Sequence, residues 1–254
     1  MKIIKQLHKC IAGGAVTIGL VFGAGAVQAE TLKVGATSTG IPFTFLDVKT
    51  NSIQGMMVDT AHAVAEAAGF EAVIEQTVFS ALIPSLNGNK IDIISAAMLR
   101  TPVREEVVDF TDPVYAYGDG LLVKGDNDTA YTSLDDLKGE VVGAQVGTVF
   151  VDLLREKGYF KEVRSYDSVV DMARDVELGR IKAGIGDEPI LAYQIQQGTL
   201  KGVRLVDEYQ PESMGEVSLV VRKGDDELKE RLNKAIAQIK EDGTLEEIVS
   251  KWGI

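Results

Sequence analysis

Short apolar runs alternate with segments of helical period along most of the chain. Leu32 to Ala36 reads as a strand, followed by the turn-like Thr37-Ser38-Thr39-Gly40. Residues 55 to 68, GMMVDTAHAVAEAA, put Met57, Ala61, Val64, Ala65 and Ala68 on one broad helical face, and Gly69 ends the period. A strand is expected from Ala72 to Gln76, a short helix from Ala81 to Leu86, and a buried strand from Ile91 to Ser95. Strands alternating with helices in this way predict an α/β fold with helices covering a parallel sheet.

A second unit of the same kind begins after Tyr115. Strands are expected at Gly120 to Val123, Glu140 to Ala144, Val163 to Tyr166, Ala183 to Gly186 and Val203 to Val206. Between them lie helices from Gly147-Thr148 to about Lys157, from Ser168 to Leu178 and from Glu188 to Gln197. Ser133 and Asp136 form a capping box over a single turn. A strand from Val217 to Val221 leads into a helical tail, Asp225 to Trp252, where Thr244 and Glu247 read as a second capping box after Gly243. Two such units with no flexible tether predict a chain that crosses between them on strands. A cleft at the carboxyl ends of those strands would hold a ligand.

The first residues break this pattern. Lys2, Lys5 and Lys9 precede an uncharged run from Ile11 to Val27, and Val27-Gln28-Ala29 suits a signal peptidase. That order predicts a secretory signal peptide over residues 1–29. Of 26 basic and 38 acidic residues the segment carries three lysines and no acid, which leaves 23 against 38 and a net charge of −15. A remainder so acidic suits neither nucleic acid nor an anionic membrane surface, and it predicts a soluble protein that is monomeric or weakly associating. The one cysteine, Cys10, lies inside the segment, so no disulfide or thiol chemistry is expected after it. His62 is then the last histidine, and no metal site or cofactor motif is evident. His62 lies between Ala61 and Ala63 in a helical pattern, which suits the edge of a core better than a ligand contact.

Three places carry candidate binding chemistry. Arg104 follows Thr101-Pro102-Val103, just after a strand, where a guanidinium can hold a carboxylate with two parallel bonds. A solvated arginine paired with Glu105 or Glu106 fits the same residues, and Arg100 is a rival anion binder. Asp187 ends the strand Ala183 to Gly186, where it can accept from an ammonium or cap the helix that starts at Glu188. Gly147-Thr148-Val149 opens a helix, whose free N–H groups favour an anion. Phe43, Phe45, Phe79, Tyr115 and Tyr117 stand near strand ends, and Phe79 is the best cleft ring because it lies outside any period. One cation, one anion and one ring suit a small zwitterion.

Taken together, several pieces resemble the periplasmic amino-acid-binding proteins of ABC importers, family 3 of the bacterial extracellular solute-binding proteins. They are Val34-Gly35, Ile41-Pro42-Phe43, Leu82-Ile83-Pro84-Ser85-Leu86 with Lys90-Ile91-Asp92, Thr101-Pro102-x-Arg104, Val108-Asp109-Phe110-Thr111-x-Pro113, Leu137-Lys138-Gly139, Val142-Gly143 with Gly147-Thr148, Gly243-Thr244-Leu245 and Lys251-Trp252-Gly253. The resemblance implies a two-lobed fold that closes on its ligand, with lobe 1 at 31–116 plus 218–254 and lobe 2 at 117–217. It implies that Arg104 and the backbone around Thr148 and Val149 hold an α-carboxylate, that Asp187 holds the α-ammonium, and that Phe79 packs on the side chain. It also implies a soluble periplasmic protein that hands its ligand to an inner-membrane ABC permease without chemistry. A dehydratase-like enzyme on this scaffold and a sensor for a membrane receptor are the alternatives.

The chain also departs from the family. Gly40 replaces an aromatic that often closes over the ligand, and Thr37 replaces a frequent acid. Ala97, Leu99 and Val149 stand where hydroxyl residues are common. Phe79, Tyr115 or Tyr117 is left to fill the space at Gly40. The expected ligand is therefore a zwitterionic amino acid or a modified relative of one.

Overall fold

The computed structural model describes residues 30–254, so the segment 1–29 with Cys10 lies outside the described residues. The chain opens with β1 (Glu30–Ala36) and a small antiparallel sheet, β2 (Thr39–Gly40), β3 (Thr44–Asp47) and β4 (Ser52–Gln54). Then come α1 (Met56–Ala68), β5 (Phe70–Gln76), α2 (Leu82–Asn87), β6 (Ile93–Ile94), α3 (Pro102–Glu105) and β7 (Val108–Phe110). The middle of the chain supplies β8 (Tyr115–Lys124), β9 (Val141–Gln145), α4 (Val149–Lys157), β10 (Glu162–Tyr166), α5 (Val169–Glu177), β11 (Ala183–Asp187), α6 (Glu188–Gln196) and β12 (Val203–Leu205). It closes with β13 (Met214–Val217), β14 (Val220–Arg222), α7 (Asp226–Glu241) and α8 (Thr244–Trp252).

Two sheets form two lobes. The first has the order β5-β1-β6-β14-β7, with β1 parallel to β5 and β6, and β14 antiparallel to both its neighbours. Because side chains alternate along a strand, Ile93 and Ile94 bury on opposite faces. Ile93 joins the core under α1, α7 and α8, and Ile94 joins Leu82 and Leu86 of α2. The second sheet has the order β10-β9-β11-β8-β12 and is covered by α4, α5 and α6. Each sheet is thus mostly parallel, as the alternation predicts, with antiparallel strands where the chain arrives from the other lobe.

Those arrivals are the two crossings. The first half of β8 pairs with β13, Tyr115 opposite Val217, and the second half pairs with β11. The expected single strand Val217 to Val221 is instead two, broken at Ser218-Leu219, because β13 belongs with β8 and β14 returns to the first sheet.

Other expectations also change. The small β2–β3–β4 sheet takes in residues read as a turn, Thr39-Gly40. The Ser133–Asp136 capping turn forms, with the Ser133 N–H donating to Asp136 Oδ2 at 3.2 Å, but the Thr244–Glu247 box does not. Gly243, at φ 84°, is the cap of α8, and Thr244 is already its first residue, with its N–H donating to Asp242 Oδ1 at 2.9 Å. The left-handed backbone at that break favours glycine over a threonine cap. At the far end of α8, Asp59 Oδ2 of α1 accepts from Lys251 Nζ at 2.7 Å and from Trp252 Nε1 at 2.8 Å. The Trp252 ring meets Phe45 edge-on at 5.7 Å. Among the described residues no helix is long and apolar enough to cross a membrane.

Candidate ligand cleft

Arg104 owes its position to a one-turn helix. Pro102 occupies the first turn of α3, and Thr101 caps it by accepting from the Arg104 N–H at 3.3 Å. The guanidinium then turns away from Glu105 and Glu106. Its Nη1 donates to Leu99 O at 2.6 Å, and its Nη2 crosses the cleft to Gly147 O at 3.0 Å. It also lies 5.8 Å from the Phe79 ring centre. Burial pulls its pKa below the ordinary arginine value, while Tyr117, Asp187 and Asp152 pull the other way. Arg100, the rival, is engaged elsewhere: it donates to Thr111 O at 2.7 Å and pairs with Glu105 and Glu216.

Asp187 sits at the end of β11 and at the cap position of α6, yet its side chain makes no capping bond. The carboxyl is left free for the cleft. Desolvation raises its pKa to about 6, against the lowering pull of the Tyr117 hydroxyl and the Arg104 charge. Glu188, next in sequence, is exposed. Tyr117 is buried on β8, stacks against Phe43 at 5.5 Å and donates to Ala97 O at 2.8 Å.

Gly147 faces the opposite lobe. Its φ is +81°, and a Cβ there would stand 2.9 Å from Ser80 Cα, so both conformation and space require glycine. Thr148, at the cap of α4, spends its hydroxyl on Gln145 O at 2.7 Å and leaves the first N–H groups of the helix uncapped by a side chain. Ala97 adopts φ +53° and, like Leu99, contributes a carbonyl acceptor and an apolar side chain.

These residues enclose two small adjoining chambers. The first, about 10 Å³, lies between Arg104, Tyr117 and Asp187, with Ala97, Leu99, Thr148 and Val149 as walls. The second, about 20 Å³, lies between Thr37, Gly40 and Thr44 on one side and Gln145 and Ile190 on the other. Phe79 and Asp187 line both. The lobes are drawn together over volumes that hold a water or so, so a solute must part them to enter.

All ten sequence candidates come together here: Phe79, Ala97, Leu99, Arg104, Tyr117, Thr148, Val149 and Asp187 at the first chamber, Gly147 on Arg104, and Gly40 at the second. The space at Gly40 is not filled by a tyrosine. A Cβ on Gly40 would lie 3.5 Å from Ile190 Cδ1, while Tyr115 packs edge-on against Phe43 outside both chambers. Sequence reasoning missed Gln145 and Ile190. Gln145 ends β9 just as Asp187 ends β11, and Ile190 stands three residues after Asp187 on the first turn of α6, so the same strand-end rule could have found both.

His62 is neither at a core edge nor in the cleft. It is exposed, in a groove of about 740 Å³ on the outside of α1 that also meets Asp59, Lys251 and Trp252. That groove is larger than the cleft chambers, but its one carboxylate is already bound by Lys251 and Trp252. The convergence in the cleft of opposite charges, Arg104 held only by carbonyls and Asp187 in no salt bridge among the described residues, singles it out.

The model of the bacterial extracellular solute-binding proteins, family 3, matches residues 32–254. A curated relative, the putative ABC transporter arginine-binding protein 2 of Escherichia coli K12, is 32% identical over 235 residues, 91% of this chain and 94% of the relative. An ancestral arginine-binding protein bound to arginine is similar in structure, with a TM-score of 0.80 and 33% identity over 89% of this chain and 100% of the other. The ancestral amino acid-binding protein AncCDT-1, a precursor of cyclohexadienyl dehydratase, has a TM-score of 0.78 and 32% identity over 87% of this chain and 95% of its own.

Proposed function

The chain belongs to family 3 of the bacterial extracellular solute-binding proteins, and from that premise we propose that it captures a zwitterionic amino acid or a close derivative and delivers it to an ABC permease. The observation that carries the reading is the pair Arg104 and Asp187, opposite charges aimed into one closed chamber from opposite lobes. The ligand carboxylate takes the place of the carbonyls on the Arg104 guanidinium and shares the N–H groups that open α4. The ammonium sits against Asp187, and the lobes close over both.

Capture needs no bond made or broken, and Glu188, the acid next to Asp187 in sequence, is exposed and lines neither chamber. The protein works as a soluble periplasmic monomer after loss of residues 1–29, and the inner membrane holds its permease. Lobe 1 comprises 31–116 and 218–254, and lobe 2 comprises 117–217, divided within β8 and just after β13.

Calorimetric titration with a panel of amino acids, betaines and cyclic imino acids tests the function. Binding of an amino acid is expected, with the ligand recovered unchanged; binding of neutral sugars alone would sink the reading. Replacing Arg104 by alanine is expected to cost about 2–5 kcal/mol of binding, because it strips a desolvated charge pair. An unchanged affinity would remove Arg104 from the site.

A further inference from the structure

The second chamber has no role in holding a carboxylate or an ammonium. Arg104 borders the first chamber only, while Asp187 and Phe79 stand at the junction of the two. An α-amino acid laid from Arg104 to Asp187 has one large substituent left on its α-carbon. The adjoining enclosed space past Asp187 is the second chamber.

The walls of that chamber are uncharged apart from Asp187 itself. A cationic side chain there would compete with the ammonium for one carboxylate. An anionic one would meet the same carboxylate and no cation. Either leaves a buried charge unpaired. Yet the chamber is not apolar. Thr37 and Thr44 are both buried, and their hydroxyls lie 2.6 Å apart with no other hydrogen-bond partner among the described residues. Two hydroxyls carry two protons and share one bond, so a donor and lone pairs remain for a ligand. Across from them Gln145 is held by its Nε2 donating to Asp167 O at 3.0 Å.

Resting on the amino-acid reading above, we propose that the second chamber receives the ligand's side chain and selects one that is uncharged and hydrogen-bonding, a carboxamide or a hydroxyl. Thr37, Thr44 and Gln145 are the specificity-determining residues. The preference differs from that of the arginine-binding relatives, whose ligand carries a full positive charge on its side chain.

The test is calorimetric titration of the purified protein with L-glutamine, L-asparagine, L-threonine, L-arginine, L-lysine, L-glutamate and L-leucine. One of the first three is expected to bind more than tenfold tighter than each of the other four. Thr44→Val keeps the shape and removes a hydroxyl; it is expected to weaken that ligand about tenfold and to leave leucine within threefold. Thr37→Val serves if the first variant does not fold by circular dichroism. Arginine, lysine or glutamate binding within tenfold of the best ligand overturns the proposal. So does leucine binding equally well, or a valine variant that weakens every ligand alike. Binding by none of the seven overturns this proposal; the amino-acid reading itself falls only if the wider panel of amino acids, betaines and cyclic imino acids is unbound too.

Discussion

At the proposed site, a carboxyl whose pKa burial raises to about 6 would make ligand capture proton-linked. Asp187 has a folded pKa raised from 3.8 to about 6 by burial. The bound proton therefore stabilises the empty fold fully below the lower value, and that contribution is lost as pH rises through the higher one. Binding runs the other way, since the ammonium needs the charged carboxylate. Affinity is expected to fall about tenfold per pH unit below 6 and to be flat above it. Titrations in buffers of different ionisation heat should show proton release near pH 6, and Asp187→Asn should abolish both the release and the slope. At this scale much was legible in the sequence. Arg104 was placed by Thr101-Pro102 and Asp187 by the end of a strand, because both obey local rules. Ile190 was not, since its part depends on Gly40, 150 residues away, leaving room that only the folded cleft reveals.

Elements were legible where their pattern is local and obscure where a distant partner makes them. In β8 only Gly120 to Val123 read as a strand, although it runs from Tyr115 to Lys124. Asp119 interrupts the apolar run, yet it is buried because Tyr209 donates to it at 2.5 Å and the Ser213 N–H at 2.6 Å. Both partners lie some ninety residues further on. The three short strands near Thr39 to Gln54 escaped notice because they are too brief to show a period. The tail illustrates docking by side chains rather than caps: Asp59 holds both the ammonium of Lys251 and the indole of Trp252. Asp59→Ala is expected to destabilise the protein by about 1–2 kcal/mol in urea unfolding, chiefly by leaving the indole N–H unpaired. Hydrogen exchange should then quicken first in α8.

At the scale of the molecule, closure over a ligand couples binding to stability. A ligand at a hundred times its Kd is expected to raise the unfolding free energy by about 2.7 kcal/mol, seen as a higher Tm that depends on ligand concentration. No shift with a ligand that binds calorimetrically would mean that it binds the unfolded chain as well as the folded one. Two mostly parallel sheets were legible from the alternation of strands and helices, but the order of strands within them was not. That order has a consequence for how the chain is made. In the first sheet β14 lies between β6 and β7, so β7, synthesised more than a hundred residues earlier, has no neighbour in that sheet until residues 220–222 emerge. Strands β8 to β12 are contiguous and need no such delay. The sheet of the first lobe, begun first, is therefore completed last, after the five-strand path of the second lobe has all been made.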